Sequence, residues 1–211
     1  MGLLNHELLN YIRSCANCGR YDPPIVIFCF LCHSRLLSLI NPRIHQIDKS
    51  LTVVTLIDWI DSDFKLVSNF VNAQKGGFFK NFIEDLVQIT FSETERLFLS
   101  HSKFKVLGFT PIPSRSGMAA DHAYVLAKAL SHKFARPMIT PLKSEGHKSQ
   151  KYLNKEARKE AKFSLNGTLF CENLVLVDDV VTTGSTLRAA QATLKLSHSF
   201  GLALVNRFNP N

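Results

Sequence analysis

Two stretches of this 211-residue chain set reactive side chains at spacings that chemistry uses. Cys15, Cys18, Cys29 and Cys32 form C-x2-C-x10-C-x2-C. Each C-x2-C pair lets two thiolates face one ion, and two pairs complete a tetrahedron. Four filled positions leave none for water, so the expected ion is structural zinc. Iron on the same thiolates, two disulfides or four unrelated buried thiols are the alternatives. The second stretch is VLVDDVVTTGSTL (175–187). An apolar strand delivers Asp178 and Asp179 to its carboxyl end, and Thr182, Thr183, Gly184, Ser185 and Thr186 turn into a helix. Gly184 lets the backbone approach an anion, the hydroxyls donate, and the helix start adds unpaired N–H groups and a positive dipole end. The pattern suits a sugar phosphate, with the phosphate in the turn and the carboxylates on the sugar hydroxyls. Without a ligand, Thr183 or Ser185 would merely cap the helix. The Gly-Lys-Ser/Thr ending of a Walker loop is absent.

Elements must hold these groups in place. LTVVTLIDWI (51–60) reads as a strand, and FKVLGFTPIP (104–113) as a buried strand feeding a proline-constrained loop. NLVLVDD (173–179), TLRAAQATLKL (186–196) and FGLALVNR (200–207) alternate strand, helix, strand, which implies a parallel sheet covered on both faces. Phe78, Phe82, Leu86 and Ile89 give one helical stripe, and His122, Val125, Leu126, Ala129 and Leu130 another. Residues 142–162 are polar and Lys-rich and read as a mobile loop. The first forty residues carry turn signals and cysteines without a core pattern, giving a small zinc-binding module (1–40) before a main domain (41–211). Cys171 reads as a small buried hydrophobe. The eight histidines, His122 and His147 among them, lack metal-ligand spacing and read as surface or packing residues.

Composition sets limits on function. At 45% hydrophobic residues the chain is globular, and its longest apolar run, Pro23 to Cys32, is half the ~20 residues of a membrane span. The start, MGLLNHELLNYIR, has no basic and apolar leader pattern, so the cytoplasm is the expected compartment. With 25 Lys+Arg against 17 Asp+Glu, the net charge of +8 favours polyanionic partners. Nine Lys/Arg and three Glu fall between Lys133 and Lys162, where most of the excess sits. Lys148, Lys151, Arg158 and Lys159 in that segment are candidate contacts to a nucleic-acid backbone or to pyrophosphate. Lys75, Phe79 and Lys80 mix basic and aromatic groups as a base-stacking platform does, although Phe79 reads more readily as core.

The stretch 175–187 resembles the signature of type I phosphoribosyltransferases, in which two acids precede a T-T-G-x-T loop that holds the 5-phosphate of phosphoribosyl pyrophosphate (PRPP). Together with the four cysteines, the PIPSR turn (111–115) and QKYLNKEAR (150–158), the chain resembles the ComF (GntX-like) family of competence proteins. That resemblance implies an α/β fold of type I phosphoribosyltransferase-like design behind a zinc module. It implies ribose hydroxyls on Asp178 and Asp179, 5-phosphate on Thr182 to Thr186, and pyrophosphate near Ser114 and Arg115, where an Arg gives bidentate contacts. Magnesium would accompany PRPP and neutralise the leaving group. The implied role is handling single-stranded DNA during natural transformation, with DNA-uptake machinery proteins as further partners. The alternative is an active magnesium-dependent phosphoribosyltransferase acting on a nucleobase or other small acceptor. Relatives carry Arg-Gly-Phe-Asn-Gln where this chain has GMAADHAY (117–124), and Lys-Tyr-x-Gly where it has Lys75-Gly76-Gly77.

Overall fold

Every residue from Leu51 to Ile57 is buried, as only a strand covered on both faces can be. This strand is β2 (Leu51–Asp58). The structure, a computed structural model, describes residues 15, 17–20, 28–59, 63–73, 79–100, 106–114, 122–145, 163–167 and 173–207. In chain order the other elements are α1 (Phe30–Ser38), β1 (Ile40–Gln46), α2 (Phe64–Ala73), α3 (Phe79–Ser100), β3 (Gly108–Pro111) and α4 (His122–Phe134). They are followed by β4 (Leu142–Ser144), β5 (Phe163–Leu165), β6 (Leu174–Val181), α5 (Ser185–Thr193) and β7 (Ser199–Asn206).

The central sheet runs β1-β2-β7-β6-β3. Its β2, β7, β6 and β3 are parallel, and β1 pairs antiparallel with β2. The fold is therefore mixed α/β with a mostly parallel sheet flanked by helices. Alternation splits the strand side chains between two apolar layers. Val54, Leu56, Val175, Val177, Leu202 and Leu204 face α2, α3 and α4, while Val53, Leu176 and Ala203 face α5.

After α4 the chain returns to the outer edge of β3: Phe109 N–H donates to Pro137 O (3.0 Å) and Ile139 N–H to Phe109 O (2.9 Å). A β4–β5 hairpin, with Leu142 and Phe163 packed on the α5 side, then leads to β6. So the chain leaves β3 outward over one face and leaves β6 inward over the other. The crevice between their carboxyl ends is a topological switch point, where ligands of open α/β sheets bind.

Several expectations need correction. β1 adds an antiparallel strand that the sequence reading lacked, and α1 is an ordered helix with Leu36 fully buried. Leu142 is buried in β4 and does not belong to a loop. Ile89 is 58% exposed. The buried stripe of α3 is Ile83, Leu86, Val87, Thr90 and Thr94. Those positions repeat at i, i+3, i+4, i+7, whereas Ile89, two residues after Val87, lies about 200° around the helix.

Candidate functional site

The sulfurs of Cys15, Cys18, Cys29 and Cys32 all lie within 4.8 Å of one another, and no disulfide joins them. Four sulfurs each ~2.3 Å from a central zinc would stand somewhat closer still, so a small contraction completes the site. The four cysteines are therefore close enough to hold a metal ion, compatible with structural zinc. Local structure explains the grouping. Cys15 N–H donates to Arg20 O and Gly19 N–H to Cys15 O, both 2.9 Å, with Gly19 at φ +70°. That closes a tight knuckle around the first pair, a turn glycine enters without strain. Cys29 is the N-cap of α1 and Cys32 lies in its first turn, where the helix dipole favours thiolates.

Cys15 and Cys32 titrate far apart. Burial pushes Cys15 up, but the backbone N–H groups of Cys18, Cys29 and Asn17 outweigh it and bring the thiol down to about 6. Cys32 is pushed up to about 12, by burial first and then by the neighbouring sulfurs, against a hydrogen bond from Asn17. Four adjacent thiolates repel one another unless a cation sits among them, which is the condition a divalent ion relieves. Asn17 Nδ2 donates to Cys32 Sγ at 3.3 Å, and Asn69 Nδ2 on α2 donates to Asn17 Oδ1 at 3.1 Å. Cys15, Phe28 and Cys29 also join the apolar layer that contains Phe70 of α2.

The second centre sits where β6 ends. Gly184 is buried and left-handed at φ +72°, which glycine adopts freely. A Cβ there would stand 2.9 Å from Ile47 Cγ2, in the β1–β2 turn. The N-cap of α5 is Gly184, which has no side chain to offer; Thr183 Oγ1 accepts a long hydrogen bond from Ser185 N–H at 3.4 Å, and the first turn of α5 carries no acid. Thr182, Thr183 and Ser185 are exposed, and Thr183 Oγ1 donates to Ser185 Oγ at 3.1 Å. This is a hydroxyl-rimmed helix start of positive polarity.

The two acids beside it differ. Asp179 Oδ2 lies 3.0 Å from His122 Nδ1, at the first residue of α4, and Asp179 Oδ1 accepts from Val180 N–H at 2.8 Å. Burial alone would raise the Asp179 carboxyl. The His122 bond, a hydrogen bond with Asp178 and the Val180 N–H hold it below the ordinary carboxylate range. Asp178 Oδ1 accepts from Asp179 N–H at 2.9 Å. Adjacent strand residues leave on opposite faces, so Asp179 is drawn to the α4 side and Asp178 lies toward the turn.

His122, read from sequence as a packing residue, is thus part of the site; 57 residues separate it from Asp179, and no local spacing marks it. The Asp48–Ser50 clamp was also missed, although an Asp two residues before a Ser in a turn is a known cue. Asp48 Oδ1 accepts from Ser50 N–H, Ser50 Oγ and Leu51 N–H, and Asp48 Oδ2 pairs with Arg188 Nε at 3.0 Å. Ser114, half-buried beyond β3, stands on the other flank of the crevice. Arg115, Lys75, Lys148, Lys151, Arg158 and Lys159 lie outside the described residues, as do Cys171 and the side chains of Phe79 and Lys80. Among the described residues, no helix is long and apolar enough to cross a membrane. No protein-family model and no curated protein matches the chain.

Proposed function

We propose that the chain binds an activated pentose phosphate of the PRPP kind across the carboxyl ends of β3 and β6. The turn 182–186 takes the 5-phosphate on its backbone N–H groups and hydroxyls, and Asp178 accepts from the ribose hydroxyls. Asp179, fastened by His122, fixes the strand end that carries Asp178. Ser114 approaches the pyrophosphate from the β3 side, and the family resemblance gives Arg115 the same role. Magnesium bound together with the ligand would supply charge neutralisation at the pyrophosphate. One observation carries this reading: a left-handed Gly184 at an acid-free helix start directly follows the acid-bearing strand at the switch point.

Calorimetry with PRPP and magnesium tests it. Saturable heat is expected from the wild type, with Asp178→Ala binding much more weakly and Asp179→Ala less affected. Absence of heat from the wild type overturns the proposal.

The resemblance to the ComF family, together with the basic segment 133–162, extends the proposal to single-stranded DNA handled during natural transformation. Fluorescence anisotropy should then show binding whose log affinity falls with log salt by roughly 0.7 per phosphate contacted. The acid pair and turn equally suit a phosphoribosyltransferase, in which no side chain need attack covalently and stabilising the departing pyrophosphate does most of the work. Pyrophosphate release from PRPP with a panel of bases separates turnover from binding.

A further inference from the structure

The four sulfurs of the candidate metal centre do not face solvent equally. Cys15 and Cys29 are 5% and 4% exposed, Cys32 is half-buried, and Cys18, in the knuckle turn, is exposed. The exposed sulfur also has a specific neighbour. Cys18 Sγ stands 3.6 Å from Cys29 Sγ, across the gap between the two C-x2-C pairs. Cys32 Sγ is engaged by Asn17 Nδ2, which Asn69 anchors in turn.

An exposed cysteine sulfur is open to a peroxide, and its fate depends on what stands behind it. Without a second thiol in reach, a sulfenic acid goes on to irreversible acids. Behind Cys18 is a buried sulfur that is itself shielded from oxidant. A disulfide needs its sulfurs ~2 Å apart. Cys18 rides on a surface turn, so it can close the 3.6 Å gap without moving a strand or a helix.

We infer that Cys18 and Cys29 are a peroxide-oxidised pair, a modification site whose disulfide empties the metal-holding cluster. The inference builds on the four-cysteine centre and is independent of the proposed pentose-phosphate site. Cys18 Sγ attacks one peroxide oxygen, the O–O bond breaks, hydroxide leaves and Cys18 becomes a sulfenic acid. Cys29 Sγ then attacks the Cys18 sulfur, the S–O bond breaks and a second hydroxide leaves. Each sulfur gives up one electron, the peroxide gains two, and two solvent protons turn the hydroxides into water. Cys15 and Cys32 remain, and two thiolates do not complete the tetrahedral set of a structural site. A dithiol reductant restores all four. The change stays local, because α1 is also held by the buried Leu36 and by the bidentate Arg35–Asp63 pair at 3.0 and 2.7 Å.

Hydrogen peroxide titration of the zinc-loaded protein tests this, with zinc release followed by a chromophoric chelator and cross-links mapped by mass spectrometry of the unreduced digest. Zinc should appear in step with the loss of two free thiols, and the cross-link should join Cys18 to Cys29. Dithiothreitol with added zinc should reverse both. Cys18→His keeps a complete set of three thiolates and an imidazole. It should hold zinc, keep it under the same peroxide and form no cross-link at Cys29. A cross-link within either C-x2-C pair, sulfinic acid on Cys18 without a cross-link, or zinc lost from Cys18→His as fast as from the wild type overturns the inference. If Cys18→His takes up no zinc, the cross-link mapped in the wild type decides. If the wild type itself carries no zinc, the metal assignment has failed, and mapping in the metal-free chain decides the pair: a Cys18–Cys29 cross-link upholds it and any other ends it.

Discussion

Gly184→Ala is the sharpest probe of the candidate phosphate turn, because two separate costs can be read from the geometry. The left-handed φ of +72° costs a residue with a Cβ about 1–2 kcal/mol. The new Cβ would also stand 2.9 Å from Ile47 Cγ2, and Ile47 packs against the layer of Leu187 and Ala190, so it cannot simply swing away. Overpacking of that kind adds about 1–3 kcal/mol. The sum, about 2–5 kcal/mol, should lower the melting temperature by at least ~4 °C for a chain of this size. Urea denaturation of a double-mutant cycle separates the parts. In an Ile47→Ala background the contact is gone, and Gly184→Ala should cost only its backbone share. Gly184→Asn, tolerant of the left-handed region, should cost mainly the contact. If Gly184→Ala stays within about 0.5 kcal/mol of the wild type, the reasoning fails. If Ile47→Ala gives no relief, the contact with the β1–β2 turn is not what constrains Gly184.

Further outcomes follow from the two sites. The purified protein should carry one zinc per four-cysteine cluster by atomic absorption, and Cys29→Ser should lose it. Asn69→Ala, which touches no sulfur, should weaken metal retention against a chelator about 10- to 100-fold by freeing Asn17 from its hold on Cys32; retention equal to wild type would refute that relay. Asp179 is held below the ordinary carboxylate range, so its contribution to stability is complete above ~pH 4 and fades as pH falls through its lowered value. His122→Leu removes the His122 donor and should raise the Asp179 titration seen by carboxyl-carbon NMR, and its stability deficit should shrink as pH drops toward 2. A deficit that stays constant with pH would count against the pairing.

Features written in local spacing were legible. The C-x2-C pairs, the apolar run into Asp178 and Asp179, and the Gly-hydroxyl turn each depend on neighbours a few residues away, and each stands in the structure where its spacing put it. Features made by pairing at a distance were not. INPRIHQ (40–46) has a mid-run proline and polar side chains, and it becomes a strand only because β2 offers its edge; the register slips between Ile40 and Arg43, around Pro42. In α3, Thr90 and Thr94 are buried, with Thr90 Oγ1 returning its hydrogen bond to Leu86 O, so hydropathy alone misplaces the buried face.

The same non-local contacts hold the candidate anion site in place beyond what its own sequence would. An anion is held most tightly by donors already in place, since ordering them on binding costs affinity. Here the ordering comes from elsewhere: Ile47 fills the space at Gly184, Ser50 O accepts from Gln191 Nε2, and Arg188 reaches Asp48. The last contact has an electrostatic consequence. A carboxylate near a helix start would compete with a phosphate for its positive end. Asp48 already has three donors on one oxygen and a guanidinium on the other, and its carboxyl is held low by Ser50 first and Arg188 after. Its charge is answered within the clamp, so the start of α5 keeps its polarity for a ligand.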